Sequence, residues 1–224
     1  MVAWVAFALS SFVLIGALSA AWERIRGARP EPGGRARLGA VALYFTNQGI
    51  LVPLIGAGLS WLGQLVHPER LGSSWRAHEL AVGFLCFEAV TYALHRLSHR
   101  IPWLVRLHRV HHASKDIDWL DAFRQHPVEF FLFQTLGNLP AVLLFGTAGQ
   151  FSLWLNVGLR FLTAWLHARG ELSLGPLEYV LTSPEMHHRH HGKCGREERR
   201  RPRRARNYGG VLSVFDWLGG TVSR

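Results

Sequence analysis

Cysteine is scarce: Cys86 and Cys194 are the only two thiols in 224 residues. Two cysteines exclude a disulfide scaffold and a zinc finger built from several thiolates. Phosphate-binding glycine spacing is missing too. Gly33-Gly34, Gly56-Ala57-Gly58 and Gly209-Gly210 form neither a Walker loop nor a dinucleotide fingerprint, which argues against a nucleotide-driven enzyme. No Cys-x-x-Cys-His haem attachment and no iron–sulfur cysteine set is present. Charge is sparse at 18% of residues, and only 15 residues are acidic. What fills the chain is apolar: 49% hydrophobic residues, with 9 Trp and 13 Phe. That composition excludes a disordered chain, and the length suits one domain.

The net charge of +10 points superficially to nucleic acid. Its location points elsewhere. Between Lys193 and Arg206 eight basic residues face Glu197 and Glu198, so this one run supplies +6 of the total. A basic run beside apolar segments marks a cytoplasmic juxtamembrane face, and no nucleic-acid partner is expected.

Uncharged runs place the membrane. Val2 to Trp22 carries no charge over 21 residues, enough for a spanning helix of ~20 residues. Arg24, Arg26, Arg29, Arg35 and Arg37 follow it rather than precede it, so the segment reads as an uncleaved helix with its N-terminus outside. Leu38 to Val66 is uncharged for 29 residues and interrupted near Pro53 and Gly56-Ala57-Gly58, giving either one tilted span or a tight hairpin. Ala77 to Leu94 forms a third apolar stretch containing Glu79 and Glu88. Phe130 to Leu159 is uncharged for 30 residues, with Pro140 and Gly146 near its middle, and stays apolar to Leu166 apart from Arg160. A helical hairpin there returns the chain to the side it left. The expected fold is an all-α integral membrane protein of about four transmembrane helices under a histidine-rich helical cytoplasmic cap. Residues 1–83 would form the N-terminal membrane helices and basic loop, and residues 84–224 the histidine-bearing domain.

Thirteen histidines are present, and nine fall in three windows. These are His95-x-x-x-His99, His108-x-x-His111-His112, and His187-His188-x-His190-His191. Spacings of three and four put side chains on one helix face, within reach of a shared ion. His111 and His112 point about 100° apart, so consecutive rings can serve two neighbouring ions. Lone histidines such as His67 and His78 read as hydrogen-bonded structural residues. The clusters resist that reading, because each adjoins an apolar span where polar groups are costly. Their number exceeds one tetrahedral site, and a histidine-rich dimetal centre fits better. Imidazole suits iron, zinc, copper and nickel alike, so spacing does not choose the metal.

Read in order, the motifs are Glu88-Ala-Val-Thr-Tyr92-Ala-Leu-His95-Arg96-Leu-Ser-His99, Trp103, His108-Arg-Val-His111-His112, Arg124-Gln-His126-Pro127-Val-Glu129, His167, and Pro184-Glu-Met-His187-His188-Arg-His190-His191. Asn207-Tyr208-Gly209 and Phe215-Asp216-Trp217-Leu-Gly-Gly220-Thr221 complete them. This ordered set resembles the membrane-bound fatty acid hydroxylase and sterol desaturase superfamily over about residues 84 to 221. The resemblance implies a di-iron site held by His95, His99, His108, His111, His112, His167, His187, His190 and His191, with His188 left out. It implies supporting roles for Glu88, His126, Asn207 and Asp216: His126 as a positioning residue, and Glu88 either holding a ligand imidazole or standing as a lone buried acid hydrogen-bonded to Tyr92 or the backbone. The many Trp, including Trp103, Trp119 and Trp217, read as interface anchors.

The activity so implied is O2-dependent hydroxylation, or desaturation, of a C–H bond in a membrane lipid: an acyl chain, sterol or carotenoid. Two iron ions would be the cofactor, with O2 as co-substrate, and zinc binds the same imidazoles. Electrons would come from a separate ferredoxin or small cytochrome with its reductase, and the Lys193–Arg206 run could dock an acidic donor. Two departures from the family pattern stand out. The stretch from His191 to Asn207 is longer and more Arg-rich than the pattern implies. The chain ends three residues after Thr221, where many members continue. The competing readings are a histidine-rich membrane metal transporter or storage protein, and a catalytically inactive member of the same family.

Overall fold

The computed structural model describes residues 2–28, 34–70, 75–114, 116–146, 149–170, 172–197 and 206–223. Helices account for nearly all of its regular structure. They are α1 (Val2–Ile25), α2 (Arg35–Tyr44), α3 (Val52–Val66), α4 (Ala77–Ser98), α5 (Pro102–His108), α6 (Pro127–Phe145), α7 (Gly149–His167), α8 (Pro184–Glu197) and α9 (Val214–Leu218). Among the described residues there is no strand, only one isolated antiparallel bridge between Leu181 and Leu212. Four helical stretches are long and apolar enough to cross a membrane: Ala6–Ile25, Arg37–Val66, Ala77–Ser98 and Pro127–Phe145. This is an all-helical membrane protein.

The second uncharged run is a single path. A π-helical turn at Phe45–Leu51 joins α2 to α3 without reversing the chain. Pro53, in the first turn of α3, has no N–H to donate and crowds the carbonyl four residues back. The widened turn absorbs that, and the Val52 N–H reaches the Asn47 carbonyl five residues back. Asn47 in turn donates from Nδ2 to the Gln125 carbonyl at 2.9 Å, and Trp4 Nε1 donates to the Gln48 carbonyl at 2.7 Å. The polar turn therefore ties α1 and the segment before α6 together inside the apolar layer.

The fourth run bends at Gly146, not at Pro140, which lies within α6. Gly146 adopts φ +72°, where a side chain is strained, and ends that helix. Packing of α6 on α4 is close because Gly137 has no side chain: a Cβ there would stand 2.9 Å from the Phe87 ring. Tyr44 anchors the opposite side. Fully buried, it donates to the Ala8 carbonyl at 2.9 Å, and its hydroxyl lies 3.0 Å from Ser11 Oγ. Around it Ile15, Ala40, Leu120, Phe123 and Ala164 form the largest apolar cluster, joining α1, α2, α7 and the turn Trp119–Phe123. Trp119 belongs to this core. Its partly buried ring sits against Phe12 and the face of Gly16. Trp103 is exposed, and Trp217 stacks on Tyr179.

Candidate metal centre

Helix ends gather at one end of the bundle, and each brings histidines. His95 lies in the last turn of α4, with His99 immediately after it. His108 ends α5, whose start is set by Pro102, and His111 and His112 occupy the 3-10 turn that follows. His167 ends α7. α8 opens at Pro184, with Ser183 Oγ accepting the Met186 N–H, and presents His187, His190 and His191 on one side. The spacings of three and four thus become shared faces, as helical geometry requires.

These nine rings fall into two groups: His95, His99, His108, His112 and His190 in one, and His111, His167, His187 and His191 in the other. Within each group, one nitrogen per ring lies within 4.8 Å of all the others. Consecutive residues are split between the groups, His111 from His112 and His190 from His191, as their divergence on a helical turn dictates. The groups abut, with His112 and His191 stacked at 4.3 Å between centroids.

Proton bookkeeping shows what the groups are built to hold. His95 Nδ1 donates to the Tyr208 carbonyl at 2.8 Å, His190 Nδ1 to the Arg206 carbonyl at 2.7 Å, and His167 Nδ1 to the Thr163 carbonyl at 2.8 Å. A carbonyl only accepts, so each of these neutral rings spends its single N–H outward and turns a bare Nε2 lone pair inward. Those lone pairs meet others. His167 Nε2 is 3.0 Å from His187 Nε2 and 3.4 Å from His111 Nε2. His112 Nε2 is 2.9 Å from His108 Nε2 and 3.1 Å from His190 Nε2, and His191 Nε2 is 3.2 Å from His187 Nε2. The inward Nε2 of His95 is buried without a hydrogen-bond partner. Lone pairs so close repel unless a cation lies between them. Nitrogens at right angles about an ion ~2.1 Å away stand about 3.0 Å apart. Protons are a poor substitute here, because burial, reinforced by neighbouring rings, pushes His108, His111, His112, His187, His190 and His191 well below the usual 6.5. The donor set fits metal ions.

The outer hydrogen bonds involve residues to which the sequence assigned no role, although Glu129 and Tyr208 stand within its motifs. His108 Nδ1 lies 2.6 Å from Glu129 Oε1, and Glu129 is fully buried. Glu129 was visible as an acid opening an uncharged run, just after His126-Pro127, and that position was its signal. The backbone carbonyls of Tyr208, Arg206 and Thr163 have no residue-type signal at all.

Asn207 and Asp216 act through that backbone. Asp216 is fully buried and accepts from the Tyr208 N–H at 2.8 Å, the Gly209 N–H at 2.7 Å and Thr221 Oγ1 at 2.7 Å, which fixes the carbonyl that holds His95. Asn207, at φ +59°, donates to the Met186 and Ser223 carbonyls at 3.0 Å each and so holds the segment beside the Arg206 carbonyl.

Glu88 takes the second of its two readings, the buried acid bonded to backbone. Its carboxylate accepts the Val211 and Leu212 N–H groups at 2.8 Å each, not an imidazole N–H, because those backbone donors pass directly beside α4. His126 is not among the grouped rings: its Nδ1 accepts the Val128 N–H at 3.2 Å and caps α6. His188 contacts the Ala168 carbonyl, and His67 bridges Glu69 and the Leu143 carbonyl.

Beside the centre runs an apolar cleft of about 240 Å³, lined by Leu162, Trp165, Leu166, Leu174, Leu177, Leu181, Thr182 and Val211. Leu166 directly precedes His167, and the Thr182 N–H donates to the Val211 carbonyl two residues before α8 begins.

The model of the fatty acid hydroxylase family matches residues 80–221, which include all nine grouped histidines. The chain belongs to the fatty acid hydroxylase family. Among curated relatives, the ornithine lipid hydroxylase OlsE of Rhizobium tropici is 29% identical over 174 residues, 77% of this chain and 50% of its own length. Human alkylglycerol monooxygenase is 30% identical over 138 residues, 62% of this chain and 29% of its own. Fatty acid hydroxylase domain-containing protein 2 of Macaca fascicularis is 27% identical over 164 residues, 73% of this chain and 44% of its own. The chain thus spans half or less of these relatives' lengths. No solved structure matches.

Proposed function

We propose that the protein hydroxylates a C–H bond of a membrane lipid using O2 and two iron ions, one held by each histidine group. The observation that carries this reading is the pair of abutting, inward-facing imidazole sets in a lipid hydroxylase family member. Iron, when bound, supplies the activation of O2 that no amino-acid side chain can provide.

The chain's own residues do the rest. His95, His167 and His190 are fixed by their outer carbonyl bonds, so the inward nitrogens keep their directions without reorganisation. Burial of the rings excludes bulk water. The apolar cleft takes a hydrocarbon segment of the substrate, since every lining side chain but that of Thr182 is wholly hydrocarbon or indole. A chain seated there lies against the end of α7 that bears His167, which is the positioning role a C–H oxidation requires. The relatives named for ornithine lipid and alkylglycerol support a substrate with long alkyl chains. Desaturation is the variant outcome if a second hydrogen is removed.

One O2, two electrons and two protons give the alcohol and one water. The two electrons come from an external donor such as a ferredoxin or a small cytochrome with its reductase. The basic run proposed to dock it lies mostly outside the described residues. Arg24, Arg26, Arg96, Arg100, Arg106 and Arg109 crowd the histidine end of the spans, which supports a cytoplasmic centre and an external N-terminus. Residues 1–83 then serve as the membrane scaffold, and residues 84–224 hold the metals.

The test is turnover of the purified chain in lipid nanodiscs with iron, a ferredoxin–reductase couple and ¹⁸O2. A lipid product gaining one ¹⁸O atom is expected. Fully metal-loaded protein that consumes reductant without an oxygenated or desaturated lipid, across ornithine lipid, ether lipid and free fatty acid, would refute the reading.

A further inference from the structure

We infer that Glu129 is a positioning residue that makes the five-histidine group the tighter of the two metal sites. The inference rests on the two-metal reading above and adds an inequality between the sites. Glu129 stands in the first turn of α6, where helix dipole and chain direction favour a carboxylate, and it is fully buried. One oxygen lies 2.6 Å from His108 Nδ1, while the other, Oε2, is buried with no hydrogen-bond partner. A buried carboxylate with half its acceptor capacity unused is costly. It is retained where a nearby positive charge offsets it.

The asymmetry is what matters. By contrast His95, His190 and His167 end on neutral carbonyls, those of Tyr208, Arg206 and Thr163. Among the described residues neither histidine group itself contains a carboxylate, and in the four-histidine group Nδ1 of His167 ends on a carbonyl while those of His187 and His191 meet no hydrogen-bond partner. Asp118, whose charge is felt at His167, is committed to Arg37 at 3.0 Å and Arg169 at 3.9 Å, and it accepts the Leu120 N–H. Asp118 therefore acts on His167 only through space, whereas the five-histidine group has a carboxylate in direct contact with a ring, at His108. A carboxylate behind a ligating imidazole fixes the ring's tautomer and orientation and strengthens its donation to a cation.

The experiment is a Co²⁺ titration of the metal-free full-length protein in detergent, followed by its visible ligand-field bands, with apoprotein melting measured alongside. Wild type should show two binding steps. Glu129→Gln keeps an acceptor for His108 but removes the charge. It should weaken the first step about 10- to 100-fold, leave the second within threefold, and leave apoprotein melting unchanged or raised. Glu129→Asp keeps the charge on a side chain too short to span the contact, and it should also weaken the first step. His167→Ala should abolish the second step and preserve the first. A purely structural role would lower apoprotein melting and weaken both steps together, and that result overturns the inference. So does either Glu129 variant binding as wild type. Should the Gln variant fail to fold, the Asp variant decides. A single step in wild type would instead overturn the two-metal reading itself.

Discussion

Replacing Asp216 by asparagine preserves its volume but changes what it can accept. In the native protein both carboxylate oxygens are used, by the Tyr208 N–H, the Gly209 N–H and Thr221 Oγ1. Asparagine has one acceptor oxygen, so its amide nitrogen must face one of the two backbone donors. One buried N–H then goes unsatisfied, at about 1–3 kcal/mol, and the bonds that remain lose their charge assistance. A total near 3 kcal/mol corresponds to a fall of about 6–12 °C in melting temperature for a chain of this size. The displaced backbone includes the Tyr208 carbonyl that fixes His95, so metal affinity should fall by about tenfold as well. Thermal melting of the apoprotein gives the first number and Co²⁺ titration the second. Wild-type values of both would refute the account of how the terminal segment supports the centre. Loss of melting temperature with unchanged metal affinity would refute its second half.

Further consequences follow from other contacts. Gly137→Leu drives a side chain into the Phe87 ring and should destabilise the α4–α6 pair by about 1–3 kcal/mol, read as a lowered melting temperature or outright loss of folded protein. Leu181→Trp should fill the apolar cleft and shift product formation toward shorter alkyl chains, with metal content unchanged; an unaltered chain-length profile would remove the cleft from the substrate path. The buried cap imidazoles, His108, His111, His112, His187, His190 and His191, have folded pKa values pushed well below 6.5. The unfolded chain therefore takes up protons that the folded one refuses, and apoprotein stability should be lost as pH falls below about 6.5, by up to ~1.4 kcal/mol per pH unit for each such group. Metal removal by a chelator should lower the melting temperature at neutral pH, because a bound ion stabilises the folded state over the unfolded one.

Much of this was legible in the sequence because the physics is carried by residue type. Uncharged runs of 21 to 30 residues announce spans, and histidines at helical spacing announce shared faces. His111 and His112 fall to different groups for the reason their adjacency suggests. What stayed hidden is carried by backbone. The π-helical turn before Pro53 resolves a one-span or two-span ambiguity that composition leaves open, since only the hydrogen-bond pattern shows that the chain runs straight on. Carbonyls of Tyr208, Arg206 and Thr163 orient rings, yet any residue could supply them. Glu88 and Glu129 look alike in sequence as lone acids in apolar stretches. One meets backbone N–H groups and the other an imidazole, and only the packing of α4, α6 and the terminal segment tells them apart.

The central claim, two ions held by two histidine groups, is tested most directly by the metal content of the protein purified in detergent from iron-replete cells. Wild type should carry two iron ions per chain, and removal of one donor from each group, by His190→Ala or His111→Ala, should reduce that number while the chain stays folded. One ion or none in folded wild-type protein, or full metal content in both variants, would contradict it.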